Sequence, residues 1–140
     1  MIVCDQSNSE QIMNWIKDRL PEVSPALFGA YMTLGVMKND ELVAACIYYE
    51  YSGFDMKFSF AAEPNVQWAT RGVMQSMFAY PFKQLKVDRV TAITSHENTR
   101  AQSVLRRLGF QLEGIIRKGF DGSKNGFLFG AIKKDIEKWL

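Results

Sequence analysis

The most constraining stretch of this 140-residue chain is residues 98–117, which read NTRAQSVLRRLGFQLEGIIR. Asn98 is a residue type that caps helices, and Gly109 supplies the left-handed residue at which many helices end. Between them, apolar residues recur with helical spacing at Ala101, Val104, Leu105 and Leu108. The segment therefore predicts a capped amphipathic helix followed by a strand. That strand is marked by Phe110, Leu112, Ile115 and Ile116.

The segments on both sides of this helix read as β-strands. Residues 87–95 (VDRVTAITS) are rich in β-branched side chains, which favour strands. Residues 124–132 (KNGFLFGAI) follow the turn residues Asp121 and Gly122 and predict a further strand. The carboxyl-terminal half is therefore expected to run strand, helix, strand, strand.

The string NxxAxxxLxxLGFxxEGxxR, complete in residues 98–117, resembles the carboxyl half of GNAT-fold N-acetyltransferases. The resemblance is greatest to the subgroup that acetylates the N-termini of ribosomal proteins and to its short bacterial and phage relatives. It extends from about Glu63 to the C-terminus, whereas the amino half agrees in element order alone. It implies an α+β, three-layer fold with a central mixed sheet, splayed strands and flanking helices.

The amino-terminal half predicts the remaining elements. Ser7 or Ser9 can cap a first helix that Pro21 closes, and Pro25 and Gly29 indicate a loop or a short second helix. The other predicted elements are strands at 31–37, 42–51 and 54–62, a helix at 70–85 that Pro81 kinks or ends, and a short helix at 133–140. Before that last helix, the predicted order is α, β, β, β, α, β, α, β, β.

Composition narrows the class of protein. A chain that is 47% hydrophobic and 23% charged suits one globular domain, residues 1–140, with its own core. Its apolar runs are far shorter than the ~20 residues of a membrane span, and its start does not read as a secretory leader. Cys4 and Cys46 are too few for a disulfide scaffold or a zinc site, which favours a cytoplasmic setting without a metal. The net charge of +2 does not suggest a nucleic-acid partner.

The resemblance implies acetyl-CoA as co-substrate, bound where strands 54–62 and 87–95 splay apart. Backbone amides at Ala61 or Ala62 would then polarise the thioester carbonyl, and the helix beginning near Thr70 would receive the pyrophosphate. The loop before that helix departs from the family's QxxGxG/A pattern, because residues 65–70 contain no glycine. We therefore expect a different loop path or a less closely held coenzyme.

Several side chains are candidates for coenzyme contact, and each has a structural alternative. Arg71 and Gly72 can replace the lost loop amides at a phosphate, or Arg71 can be a solvated first-turn residue. Trp68 either walls the coenzyme groove or fills the core, and Asn98 either contacts the coenzyme or only caps its helix. Three arginines are candidates for contact with the 3′-phosphate and adenine of CoA: Arg100, Arg106 and Arg107. Each of them can instead be an exposed helix residue.

Acetyl transfer requires a group that removes a proton from the acceptor ammonium. Glu63 ranks first by the resemblance, and His96 second because imidazole has a suitable unperturbed pKa; either can instead be a solvated loop residue. The tyrosine with which many family members protonate the leaving thiolate is replaced by Leu105. Ser95 or Ser103 would then donate the proton, or the thiolate would leave unassisted, since a free thiol has a pKa of about 8.5.

The acceptor is the least determined feature. Because no acidic patch that would select a polyamine is evident, a protein or peptide N-terminus is favoured over other amines. Aromatic residues that can line an acceptor groove, or simply fill the sheet, are Phe28, Tyr31, Tyr48, Tyr49 and Tyr51. Two other classes stay open: a non-catalytic GNAT-fold protein that binds acyl-CoA or a partner protein, and an unrelated α+β interaction module. The sequence also leaves a homodimer open.

Overall fold

A computed structural model describes residues 2–20 and 29–140. Seven strands form one mixed sheet in the order β1-β2-β3-β4-β5-β7-β6. The elements in chain order are β1 (Ile2–Ser7), α1 (Glu10–Arg19), β2 (Tyr31–Lys38), β3 (Glu41–Tyr49), β4 (Asp55–Ala62), α2 (Arg71–Ala79), β5 (Arg89–Ser95), α3 (Thr99–Leu108), β6 (Gln111–Ile116), β7 (Gly126–Ile132) and α4 (Lys133–Ile136). A π-helical turn (Tyr80–Gln84) extends α2, and a 3₁₀ turn (Glu137–Trp139) follows α4.

The predicted order of elements is confirmed, and the structure adds one strand that the sequence did not predict. This strand, β1, pairs antiparallel with β2 at one edge of the sheet. Its side chains are exposed or only half-buried, so no regular apolar alternation marks it. Its strand character comes from pairing with β2, which local sequence does not reveal. The predicted loop or short helix around Pro25 falls in residues 21–28, outside the described part.

Helices cover both faces of the sheet, which confirms the predicted three-layer α+β architecture. On one face, Ile12 and Ile16 of α1 pack against Ala45 and Ile47 of β3. On the other face, α2, α3 and the carboxyl-terminal segment enclose a larger core. Its largest fully buried side chains include Tyr48, Phe58, Phe78, Leu105 and Phe129.

The predicted interruption of the second helix occurs at Pro81. Because proline has no amide proton, it cannot continue the α-helical ladder, and the chain widens into a π-helical turn. The turn closes with the Leu85 amide donating to the Tyr80 carbonyl at 3.0 Å. Phe82 stays buried against Phe78, with ring centroids 6.4 Å apart, so the interruption keeps the segment in the core.

The third helix begins and ends at the predicted residues. The Asn98 side-chain oxygen accepts a hydrogen bond from the Ala101 amide at 3.0 Å. Gly109 ends α3 in the left-handed region, with φ of 116°. Leu105 and Leu108 are buried beneath the helix, as their spacing predicts. The strand that follows, β6, is an edge strand, and its apolar residue Ile115 is 59% exposed.

The strands β4 and β5 are parallel neighbours that pair only near their amino-terminal ends. The last pair in their register is Lys57 with Thr91. Beyond it, β4 continues along β3 as far as Ala62, and β5 continues along β7 as far as Ser95. The two strands therefore separate over their final residues, which confirms the predicted splay at the centre of the sheet.

Within 2–20 and 29–140, no helix combines the length and the apolar character needed to cross a membrane. In the same part of the chain, no cluster of three or more His, Cys, Asp or Glu side chains is placed to hold a metal ion. Cys4 and Cys46 are both free thiols.

Candidate active site

A cavity of about 240 Å³ occupies the space between the separated ends of β4 and β5. Consecutive residues of both strands line it, 57–60 on β4 and 92–95 on β5. Because successive side chains of a strand point to opposite faces of the sheet, this gap cavity spans both faces. Ala101 and Leu105 of α3 border it on one face, and Tyr49 and Glu50 border it on the face of α1.

Two more cavities continue from the gap along α3. A middle cavity of about 260 Å³ shares Asn98 and Ala101 with the gap cavity. An outer cavity of about 660 Å³ shares Trp68 and Arg100 with the middle cavity and lies between α2 and α3. Cavities that share wall residues adjoin, so the three form a continuous row from the centre of the sheet to the surface.

Unpaired backbone groups of β4 face this row. The Glu63 amide donates to the Val43 carbonyl at 2.8 Å, which fixes which residues of β4 hydrogen-bond to β3. Since these groups alternate along an antiparallel pair, the Ala61 amide faces β3, whereas the amides of Phe60 and Ala62 face the gap. Of the two alanines expected to offer an amide, Ala62 is therefore the one whose amide is directed at the gap.

The outer cavity has a cationic lining. Its charged wall residues are Arg100, Arg107 and Lys138. Lys138 is held there because its ammonium donates to the Arg107 carbonyl at 3.3 Å, while the Trp139 indole donates to the Leu108 carbonyl at 2.8 Å. The sequence predicted a short helix at 133–140. It did not predict that Lys138 and Trp139 form a wall of this cavity, because that depends on the contact with α3.

Residues at the start of α2 lie beside the outer cavity. Thr70 caps the helix, accepting a hydrogen bond from the Val73 amide at 3.2 Å. Arg71 is exposed, but its guanidinium donates to the Lys138 carbonyl at 2.7 Å and lies 6.0 Å from the centre of the Trp139 ring. Gly72 leaves space beside the helix, since a Cβ there would approach nothing nearer than the Thr70 hydroxyl at 3.9 Å.

The glycine-free loop before α2 contains a left-handed residue despite its composition. Asn65 adopts a φ of 63°, a conformation that asparagine tolerates better than most residues because its side chain bonds locally. Trp68, later in the loop, belongs to the larger core cluster and also lines the middle and outer cavities. Trp68 is therefore a core residue that also forms part of the cavity wall.

The predicted catalytic residues occupy different positions. Ser95 lines the gap cavity, and its hydroxyl accepts a hydrogen bond from the Glu97 amide at 3.2 Å. Glu63 does not line the three cavities; its carboxylate pairs with Arg19, which borders the middle cavity, and its side chain is 34% exposed. His96 is exposed, with Nδ1 3.3 Å from the Asn125 carbonyl. Ser103 lines the outer cavity, away from the gap.

An ion pair at the gap was not predicted from the sequence. The Lys57 ammonium lies 2.6 Å from the Glu50 carboxylate, and this hydrogen bond raises the pKa of Lys57 against the opposing effect of burial. Burial raises the pKa of the neighbouring Tyr49, so its phenol stays protonated. Apolar residues occupy every second position from residue 54 to residue 60. The sequence could therefore have shown that Lys57 lies on the other face of this strand.

The aromatic residues considered for an acceptor groove separate into different environments. Tyr49 lines the gap cavity. Tyr48 is buried on the opposite face, where its hydroxyl donates to the Met77 carbonyl at 2.6 Å. Tyr31 packs against the α1 cluster and Tyr51 is exposed. Phe28 lies outside the described residues. One of the five therefore lines the gap within the described structure.

A mixed sheet that opens between two parallel central strands, with helices on both faces, defines the GNAT fold. A family model, "Acetyltransferase (GNAT) domain", matches residues 3–111. The chain belongs to the GNAT acetyltransferase family, whose members use acetyl-CoA as co-substrate and transfer its acetyl group to amines. Among curated proteins, no match to this sequence was found.

Solved structures share this fold at low sequence identity. The spermidine/spermine N-acetyltransferase SpeG from Vibrio cholerae, in mutant forms, is 13% identical, with a TM-score of 0.74 over 99% of this chain and 98% of that chain. PseH, an N-acetyltransferase from Campylobacter jejuni solved with acetyl coenzyme A, is 16% identical, with a TM-score of 0.63 over 95% and 99%. A GNAT-family acetyltransferase from Bacillus anthracis is 19% identical, with a TM-score of 0.61 over 74% and 66%.

Proposed function

We propose that this protein transfers an acetyl group from acetyl-CoA to a primary amine, preferentially a protein or peptide N-terminus. The observation that carries the proposal is the row of three adjoining cavities, which leads from the gap between β4 and β5 to a cationic outer end. Such a row suits an extended molecule with a thioester at one end and phosphates at the other. Family membership supplies the reaction class.

The coenzyme would be held by backbone groups at one end and by charges at the other. The Ala62 amide, with that of Phe60, is available to the thioester carbonyl, where a fixed donor favours the oxyanion that develops during attack. At the outer end, Arg100, Arg107 and Lys138 provide cationic donors for phosphates. The first-turn amides at Arg71 and Gly72, beside the Thr70 cap, add the positive end of the α2 dipole.

For the chemistry, we propose Glu63 as the group that takes the proton from the attacking ammonium. It directly follows the end of β4 that is separated from β5, and its carboxylate is partly exposed to solvent. His96 follows Ser95 at the end of β5 and is the second candidate. Glu50 is a third, because it lines the gap itself; its carboxylate is paired with Lys57, as that of Glu63 is with Arg19.

The charges at the gap support a peptide acceptor rather than a polyamine. SpeG acts on spermidine and spermine, which carry several positive charges. Here the carboxylate that lines the gap, Glu50, is already neutralised by Lys57. A polyamine would therefore meet little uncompensated negative charge, whereas a peptide N-terminus brings a single ammonium. This is the acceptor type of the ribosomal-protein subgroup.

The experiment that tests the function measures thiol release from acetyl-CoA with three acceptors. These are a short peptide with a free N-terminus, the same peptide with a blocked N-terminus, and spermidine. We expect release with the free peptide and little with the other two. Saturable acetyl-CoA binding without release for any amine would instead support the non-catalytic alternative. Release with spermidine alone would overturn the choice of acceptor.

Removing one cation from the outer cavity should weaken coenzyme binding. For Arg107→Gln we expect the Kd of acetyl-CoA to rise about tenfold, the size of one charge-assisted hydrogen bond. S-acetylpantetheine, which has no phosphates, should bind the wild type and the variant equally. The matched control is Arg106→Gln on the same helix, since Arg106 lies over the Phe129 ring instead of lining the cavity. Equal losses in both variants would contradict the assignment.

Neutralising the proposed base should slow turnover without affecting coenzyme binding. For Glu63→Gln we expect kcat to fall about 100-fold, as is typical when general-base catalysis is lost, with an unchanged Kd for acetyl-CoA. Steady-state kinetics and calorimetric titration measure the two quantities separately. Glu50→Gln and His96→Ala serve as comparisons. A full-rate Glu63→Gln enzyme, with the loss appearing in either comparison variant, would move the role to that residue.

A further inference from the structure

Thr94 carries a buried hydroxyl that the fold does not satisfy. The side chain lies on β5 and is only 8% exposed. Within residues 2–20 and 29–140, its Oγ1 is the one buried side-chain nitrogen or oxygen without a hydrogen-bond partner. Such a group lowers the stability of a folded protein, so it calls for an explanation. Thr94 also lines the gap cavity, where a bound molecule can supply the partner.

The orientation of Thr94 indicates which atom of a ligand it would meet. Alternation along β5 places Thr94 on the same face as Ala92, which packs in the core beneath α3. Leu105 of α3 borders the gap from that side and offers no polar hydrogen. The amides of Phe60 and Ala62 instead approach the gap within the plane of the sheet. The Thr94 hydroxyl therefore faces a ligand atom that lies outside the plane of the sheet, different from the atom that the two amides face.

We propose that the Thr94 hydroxyl donates a hydrogen bond to the sulfur of the bound thioester and stabilises the thiolate as it leaves. The inference rests on the proposed function. In the reaction, the amine nitrogen forms a bond to the carbonyl carbon and the C–S bond breaks, leaving its electron pair on sulfur. One proton of the ammonium passes to the base before attack, and the same nitrogen loses a second proton to solvent as the C–S bond breaks. The released thiolate then takes up a proton from solvent. Thr94 keeps its own proton throughout.

Other hydroxyls near the row are less suited to this role. The Ser95 hydroxyl accepts from the Glu97 amide, and its side chain lies on the opposite face from Thr94. Ser103 lines the outer cavity, beyond the middle cavity from the gap. The Ser59 hydroxyl lies 3.3 Å from the Tyr49 hydroxyl, with which it can form a hydrogen bond. Among the described residues, Thr94 is thus the buried wall residue whose hydroxyl makes no hydrogen bond at all.

The experiment compares the binding of CoA and desulfo-CoA, in which hydrogen replaces the thiol, to wild type and Thr94→Val. Titrations are run in the alkaline range, where a larger fraction of the thiol is ionised to the thiolate that Thr94 would stabilise. We expect Thr94→Val to weaken CoA binding on the order of tenfold and to leave desulfo-CoA binding unchanged. Equal affinities of wild type and variant for CoA would overturn the inference. Failure of wild type to bind either ligand would instead overturn the proposed function.

Stability measurements separate this role from a structural one. Valine has the shape of threonine without the hydroxyl, so ligand-free Thr94→Val should unfold at the same temperature as wild type or higher. A clearly lower unfolding temperature would mean that the hydroxyl serves the fold, and would overturn the inference. Ser95→Ala is the comparison on the same strand. If that variant, rather than Thr94→Val, loses the preference for CoA over desulfo-CoA, the donor is Ser95.

Discussion

Ala101→Trp should abolish acetyl-CoA binding while leaving the protein folded. Ala101 borders both the gap cavity and the middle cavity, so one side chain at this position controls the connection between them. An indole there would occupy the junction of the two cavities and exclude the chain that joins the thioester to the phosphates. We expect the Kd to rise at least about 100-fold, equivalent to ~2.7 kcal/mol. Because Ala101 is only half-buried on α3, we expect the larger side chain to leave the core undisturbed.

The measurement is calorimetric titration with acetyl-CoA, accompanied by circular dichroism to verify folding. Arg106→Trp is the matched control, because it adds the same side chain to the same helix at an exposed position outside the cavities. Its affinity should stay within a few-fold of wild type. Retention of wild-type affinity by folded Ala101→Trp would show that the coenzyme does not follow the row, and the proposed function would lose its main support.

Gly109→Ala should strongly destabilise the protein. Gly109 has a φ of 116°, which alanine rarely adopts, and an added Cβ would press against the Asp135 carbonyl oxygen, far inside van der Waals contact. Because the obstacle is backbone of α4, it cannot turn aside as a flexible side chain would. We expect the free energy of unfolding to fall by about 3 kcal/mol, combining backbone strain with steric overlap.

Urea denaturation of wild type, Gly109→Ala and Gly114→Ala checks this expectation. Gly114 is the matched control, since a Cβ at that residue of β6 would meet nothing within 4 Å and its φ lies outside the left-handed region. Gly114→Ala should change the free energy of unfolding by no more than about 0.5 kcal/mol. Similar losses in both variants would mean that neither φ nor the contact with Asp135 explains the glycine.

The fold was largely predictable because its strongest signals are local. The cap at Asn98, the apolar spacing of α3 and the left-handed Gly109 are read from adjacent residues, and the structure confirms all three. The interruption at Pro81 is equally local. By contrast, β1 depends on its partner β2, and its apolar residues are consecutive in the sequence instead of alternating with polar ones.

The site was less predictable because its members come from distant parts of the chain. Lys138 reaches the outer cavity only because Trp139 and Lys138 bond to the end of α3, more than thirty residues earlier. The Glu50–Lys57 pair forms across the turn between β3 and β4. The unsatisfied hydroxyl of Thr94 is visible only when every neighbour has been placed, since the sequence marks it simply as a strand residue.

The gap cavity is lined by residues from both faces of the sheet, and this determines whether the coenzyme and the amine can be bound at the same time. A coenzyme lying along α3 and an amine arriving from the side of Tyr49 and Glu50 would reach the gap from different directions. Neither reactant then blocks the route of the other, so both can be present together in a ternary complex. The acetyl group can then pass directly from the coenzyme to the amine, without a covalent acyl-enzyme intermediate.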